Sequence, residues 1–394
     1  MDRRKFIKGS AAAAALAGAA LTVPACDEAG FLPFIHGRGG RKSGRGSEVT
    51  KSASLFTASD RHEMGSGNNL KALIKKSVEE AEVKPDVVLL GGDYVGGGKE
   101  MTPEFAINSL YEEVYASLEP ATSDVMFTYG SHDNCCTDGY SAFFSGPHRC
   151  DGYYIYGISY LQMAAATDAA ADAALALRKQ LLSSGAPVSE FDDDDIILAA
   201  AGYSGIDAAD RYGKSAQAAS ENFLKWIDSL EDNAPIVVMS HMPLHYNRGD
   251  NLGGLVWYEA LAKAAKTHDV IFLWGHNHTL EEKAADTSDR TDEKLKDRFD
   301  YLLTPADLLT PGDTIEIQGA SKGKTEKKTI EFIYANAGYV KLGYGTVITF
   351  ESTNRAGTYD SVTFHRYAVD DVDPETEIGF TGKSNPYTVD LQRA

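Results

Sequence analysis

Positive charge is what this chain lacks most. Its 38 Lys and Arg stand against 57 Asp and Glu, leaving a formal net charge of −19 over 394 residues. An acidic surface repels nucleic-acid backbones and gains nothing from counterion release, so DNA and RNA are disfavoured as partners. The charge average does not extend to a site that holds cations, which would be locally positive. Cysteine is scarce as well: only Cys26, Cys135, Cys136 and Cys150 are present. A bridge from Cys135 or Cys136 to Cys150 would close a loop of about 15 residues, worth on the order of 3 kcal/mol; the alternative is that these thiols stay reduced. There is no internal repeat. The longest apolar run near the N-terminus, Ala11 to Val23, is too short for a comfortable membrane-spanning helix.

That run follows Arg3, Arg4, Lys5 and Lys8 and ends in Val23-Pro24-Ala25-Cys26. A basic region, an apolar stretch and small residues are the parts of an export signal. Residues 1–26 are therefore expected to be a signal that resembles the twin-arginine type, with Cys26 in a possible lipobox. Cleavage after Ala25 and an uncleaved N-terminal helix are the competing readings. Residues 27–51, rich in Gly and Arg, read as a flexible tether whose basic residues could also rest on anionic headgroups. The expected location is the cell surface or periplasm, with a lipid anchor in a bacterial membrane.

With 43% hydrophobic and 24% charged residues, the remainder, 52–394, reads as one globular domain. Apolar runs at Ser54–Ala58, Asp86–Leu90, Val125–Tyr129, Tyr153–Ile158, Ile196–Ala200, Ile236–Met239 and Val270–Trp274 are nearly continuous in aliphatic and aromatic residues. Such runs suit strands buried on both faces. Helices are expected at Asn69–Ala81, Pro103–Ser117, Met163–Leu182, Glu221–Leu230 and Leu255–Lys266, and strand–helix alternation argues an α/β layered sheet. After Thr329 the texture becomes that of antiparallel strands, at Ile333–Ala335, Gly345–Phe350 and Ser361–Tyr367. Residues 281–330, rich in charge and Thr, read as a surface insertion. The four carboxylates Asp192 to Asp195 read as a solvated loop or a Ca²⁺ site.

Polar clusters follow five of the expected strands: Asp60-Arg61-His62, Gly91-Gly92-Asp93, Gly130-Ser131-His132-Asp133, Ser240-His241 and Gly275-His276-Asn277-His278. In open α/β sheets ligands bind at the carboxyl ends of strands. Residues i and i+2 of an extended chain point the same way, so Asp60 and His62 can face one cavity, as can His276 and His278. Glycines let the backbone turn sharply beside them. Imidazole and carboxylate donors without thiolate suit Zn, Fe, Mn or Co.

The ordered set Asp-x-His, Gly-Asp, Gly-x-His-Asp, a strand-end His and Gly-His-x-His resembles the calcineurin-like metallophosphoesterases over about residues 52–350. The resemblance implies a four-layer α/β/β/α sandwich of two mixed β-sheets flanked by helices, with two divalent metal ions (Mn, Fe or Zn) between the sheet ends. It implies Asp60, His62 and His278 as ligands of one metal and His241 and His276 as ligands of the other, with Asp93 bridging both. His132 would be the general acid and Asp133 would orient its ring. Where the family has a ligating Asn, this chain has Ser131, a shorter and weaker donor for the second metal. The family's purple acid phosphatases place a metal-binding Tyr three residues after the bridging Asp; here that position is Gly96, and Tyr94 would point elsewhere.

The resemblance further implies hydrolysis of a small phosphate mono- or diester by a hydroxide bridging the two ions. Arg61, His245 and Arg248 are candidate substrate contacts. A nuclease on the same scaffold and a non-catalytic surface protein are the alternatives; the acidic composition counts against the first, the full set of Asp and His against the second.

Overall fold

The computed structural model describes residues 49–62, 69–81, 84–94, 110, 112–114, 117–118, 124–128, 130, 146–183, 211–245, 251–276, 307–319, 324–340, 343–354, 357–369, 380 and 383–393. The chain divides into the units Met1–Val49 and Thr50–Ala394. The expected export signal and almost all of the expected tether therefore lie outside the described residues, as do the Asp192–Asp195 run, the expected strand Ile196–Ala200, Cys135 and Cys136.

Among the described residues, the second unit is built on two six-stranded mixed sheets. The first contains β1 (Lys51–Ala58), β2 (Val87–Leu90) and β3 (Asp124–Phe127) as parallel neighbours. It continues on the other side of β1 through antiparallel β12 (Tyr344–Ser352), β13 (Ser361–Ala368) and β14 (Tyr387–Asp390). The second sheet runs in the order β4 (Gly146–Arg149), β5 (Tyr154–Ile158), β6 (Ile236–Ser240), β7 (Val270–Trp274), β11 (Ile333–Asn336) and β8 (Leu308–Leu309). From β5 to β11 its strands are parallel. The expectation of antiparallel pairing after Thr329 holds for β12 and β13 and on one side only of β11, which lies antiparallel to β8 but parallel to β7.

The aliphatic runs explain the layering. In β2 all four residues are buried, yet they divide by the two-residue period of a strand. Val87 and Leu89 join Leu55, Val237, Met239 and Ile271 in a core between the sheets. Val88 and Leu90 face outward and pack with Leu70, Leu73 and Ile74 of α1 (Asn69–Ala81). On the second sheet Ile236, Val238, Phe272 and Trp274 face outward against Phe223 of α4 (Ala216–Ile227) and Trp257 and Leu261 of α5 (Gly254–Ala264). Three stacked cores between helices, sheet, sheet and helices give the four-layer α/β/β/α sandwich. Each fully buried Leu, Val or Phe contributes roughly 1.5–3 kcal/mol.

The helix expected over Met163–Leu182 is two helices, α2 (Tyr160–Ala164) and α3 (Asp168–Ser183). At the break Ala165 is extended, with φ −100°. The carbonyls of Ala165 and Ala166 accept from Ala216 and Gln217 at 2.8 and 3.1 Å, and Thr167 Oγ1 accepts from Ala170 N at 3.3 Å. The α4 helix begins at Ala216 rather than Glu221 because Ser215 caps it, accepting from Ala218 N at 3.3 Å. Of the insertion expected over 281–330, residues 281–306 and 320–323 lie outside the described residues; of the rest, Leu308 pairs within the second sheet, and the hairpin of β9 (Thr314–Gln318) and β10 (Thr325–Thr329) buries Ile315 and Ile317.

Candidate metal centre

The parallel strands β1, β2, β3, β6 and β7 all end at one edge of the sandwich, where both sheets deliver polar residues. Asp60 and His62 follow β1, Asp93 follows β2, His241 follows β6 and His276 follows β7. The backbone there is unusual. Among the described residues, the non-glycine positions with positive φ are Asp60 (59°), His62 (51°), Asp93 (54°) and His276 (69°). Each left-handed residue costs of order 1–3 kcal/mol and persists where the surroundings enforce it. Here the enforcement is visible: Asp60 N donates to Gly92 O at 2.9 Å and His62 N to Asp93 O at 3.0 Å. Two glycines are required by close approach. A Cβ on Gly130 would lie 2.1 Å from Asp93 N, and one on Gly275 would lie 2.0 Å from Ser59 Oγ.

The side chains form two groups that share one member. Asp60, His62 and Asp93 make one group, and Asp93, His241 and His276 the other; in each the ligand atoms lie within 4.8 Å of one another. His62 Nε2 is 3.4 Å from Asp60 Oδ1 and 3.7 Å from Asp93 Oδ2. His241 Nε2 is 3.2 Å from Asp93 Oδ2 and 3.0 Å from His276 Nδ1. Supporting contacts fix which atoms face the centre. The carbonyl of Gly91 can only accept, so His241 donates to it through Nδ1 at 2.8 Å and turns the lone pair of Nε2 inward. The amide of His276 donates to Asp60 Oδ2 at 2.8 Å, leaving Oδ1 toward His62.

Asp60 and Asp93 are 2% and 1% exposed and His241 is buried beside them, while His62 and His276 are partly buried. Burial works against a charged His62, yet the hydrogen bond it donates to Asp60 and the charges of Asp93 and Asp60 prevail, against opposition from His241, and raise its pKa above the ordinary imidazole value. Such a site is built to hold positive charge, and cations would take the place of that proton. The donor set fits two divalent ions of the Mn, Fe or Zn kind, with Asp93 positioned to serve both.

The amino-acid sequence of residues 55–280 matches the calcineurin-like phosphoesterase family. The chain belongs to that family. This calcineurin-like phosphoesterase is thus a metal-dependent phosphoester hydrolase. Solved structures similar to it include a dimetal phosphatase from Danio rerio, at 10% identity over 86% of this chain and 99% of that one, with a TM-score of 0.44. They also include a putative 5'-nucleotidase from Staphylococcus aureus, at 12% identity over 82% of this chain and 55% of that one, with a TM-score of 0.38. A calcineurin-like phosphoesterase from Bacillus subtilis shares 12% identity over 81% of this chain and 91% of that one, with a TM-score of 0.38. No curated protein sequence matches the chain.

Of the residues singled out in the sequence, Asp60, His62, Asp93, His241 and His276 are brought together. Ser131, His132, Asp133, His278, Arg248 and Gly96 lie outside the described residues. Tyr94 points away from the centre, its hydroxyl 2.9 Å from Leu90 O and 2.8 Å from Thr128 O. The two described candidates for substrate contact are interior. Arg61 is 3% exposed and ion-paired with Glu113. His245 is 2% exposed, and its Nδ1 lies 2.7 Å from the hydroxyl of Tyr334. Burial lowers His245 to about 3, so the ring is neutral and brings no charge to a phosphate. Sequence reasoning missed Glu113, Tyr334 and Tyr339, whose ring meets His62 edge-on at 6.2 Å. None of the three stands out in the sequence, since their partners are 52, 89 and 277 residues away.

Proposed function

We propose that this phosphoesterase hydrolyses small phosphate mono- or diesters at a dinuclear centre, with His132 as general acid and Asp133 orienting its ring. The observation that carries the reading is the position of Asp93, whose carboxylate belongs to both ligand groups. Asp60 and His62 would hold one ion with His278; His241 and His276 would hold the other with Ser131. A divalent pair supplies Lewis-acid stabilisation of the phosphoryl oxygens and an activated water. The chain itself supplies the placement: the Gly91 carbonyl sets the His241 tautomer, and the His276 amide sets the orientation of Asp60. His132 would donate a proton to the departing oxygen, an effect on the order of 10²–10⁴-fold. The acidic surface supports a small substrate over a polyanion such as nucleic acid.

Metal analysis together with p-nitrophenyl phosphate and its bis ester tests this. Two equivalents of metal and turnover in Mn²⁺ or Zn²⁺ are expected, with His132→Ala losing turnover while keeping its metal. Hydrolysis of neither ester at full metal occupancy would sink the catalytic reading. We further propose export to the cell surface or periplasm with a lipid anchor at Cys26, a reading supported by the basic and apolar pattern of residues 1–26; Cys26→Ser should move the protein from the membrane to the soluble fraction, and an unchanged distribution excludes a lipid anchor at that residue.

A further inference from the structure

Arg61 lies between two ligands of the centre, Asp60 and His62, each in a left-handed conformation. Its own side chain belongs to the opposite layer, where Arg61 Nη2 donates to Glu113 Oε1. Arg61 is 3% exposed and the Glu113 side chain 13%, so water contributes little to holding either charge. Glu113 sits on a firm platform. It belongs to the helical turn at 112–114, and the neighbouring Leu110, Val114 and Leu118 pack into the outer core with Phe56, Leu90 and Tyr94. Ser117 Oγ lies 2.6 Å from Glu113 O and 3.2 Å from Lys71 O, which joins this platform to α1.

The backbone bonds from Asp60 to Gly92 and from His62 to Asp93 fix the turn on its inner side. The ion pair fixes it from the outer side, at the residue between the two ligands. A buried ion pair is a poor source of stability, because desolvation offsets most of its attraction, but it sets geometry well. We propose that Arg61 and Glu113 form a positioning pair: by clamping the Asp60–Arg61–His62 turn they set the affinity of the ion held by Asp60, His62 and Asp93. This rests on the metal-centre reading above, and it makes Arg61 a support of the ligands and not a contact for substrate.

The test is titration of the purified full chain with Mn²⁺ against a chelating dye, with melting temperatures of the metal-depleted protein and KM and kcat at saturating Mn²⁺. Glu113→Gln should weaken one Mn²⁺ by about 10–100-fold, the usual effect of removing a group that orients a ligand. At saturating Mn²⁺ its KM should return to that of the unaltered enzyme. Arg61→Lys, which retains the charge, should bind Mn²⁺ nearly as the unaltered chain does. A pair with only a structural role would lower the melting temperature and leave Mn²⁺ affinity unchanged in Glu113→Gln; that result overturns the proposal and leaves the metal centre standing. A raised KM in Arg61→Lys at full occupancy overturns it as well, returning Arg61 to substrate. An unaltered chain that binds no Mn²⁺ removes the metal-centre reading itself, and the proposal with it. Should Glu113→Gln not fold, Arg61→Leu combined with Glu113→Leu removes both charges together, and the same titration decides.

Discussion

His62 and His245 are both interior imidazoles that follow strands of the same sandwich, and their surroundings drive them in opposite directions. His62 faces two carboxylates from a left-handed backbone and is held toward its charged form. His245 lies edge-on to Trp274 at 4.8 Å. Two amides, Leu244 N at 2.9 Å and His245 N at 3.4 Å, donate into the Tyr334 hydroxyl, whose own hydrogen is then directed to His245 Nδ1. There the ring is neutral by burial. The difference teaches that burial alone does not make a functional histidine. Where polar groups satisfy one another the interior is stable and inert; where carboxylates are gathered and the backbone is strained, the chain has set aside stability for a ligand.

The strongest way to break this contrast is Asp93→Asn. Loss of the shared carboxylate should cost several kcal/mol of transition-state stabilisation, a fall of about a thousandfold or more in kcat/KM. The melting temperature of the metal-depleted protein should hold or rise, since two buried carboxylates no longer face each other. A metal-depleted variant that melts well below the unaltered chain would place Asp93 with the structural groups instead.

The pH dependence of stability should carry the mark of His245. Its folded pKa of about 3 lies below the ordinary value of 6.5, so as pH falls the unfolded chain takes up the proton first. The contribution is fully present above pH 6.5 and is lost as pH falls toward 3. Between pH 7 and 4.5 it amounts to roughly 3 kcal/mol. His245→Gln, which can still accept from Tyr334, should flatten the stability profile by about that much in urea unfolding. An unchanged slope would mean that His245 is not the group responsible. Tyr334→Phe should give the smallest effect, a loss of about 1–3 kcal/mol at pH 7 from amides left without their acceptor, with Mn²⁺ affinity unchanged. A loss of metal binding in that variant would join the two regions that the structure keeps apart.

Much of the frame is legible in the sequence. Runs such as Val87–Leu90 and Val270–Trp274 are strands because a parallel sheet covered on both faces tolerates little but aliphatic and aromatic side chains. The glycine-rich clusters after them marked the edge where ligands gather, and five of the residues singled out there meet. Other parts left no local trace. The hairpin β9–β10 carries Thr, Glu and Lys on its exposed positions and resembles a surface loop until Ile315 and Ile317 are seen to be covered. The break between α2 and α3 falls in an alanine-rich stretch that favours helix throughout, and it is made by amides of α4 that arrive from 51 residues away.

By itself the sequence determined the strand and helix types, the acidic surface and the order of Asp and His donors, because hydrophobic period and residue chemistry are local properties. It could not determine which histidine faces carboxylates and which faces tryptophan, nor that Arg61 turns from the centre to Glu113. Those outcomes were decided by tertiary structure alone, because the protonation and orientation of a buried polar group follow from the charges and donors packed against it, and chain folding brings those from tens to hundreds of residues away.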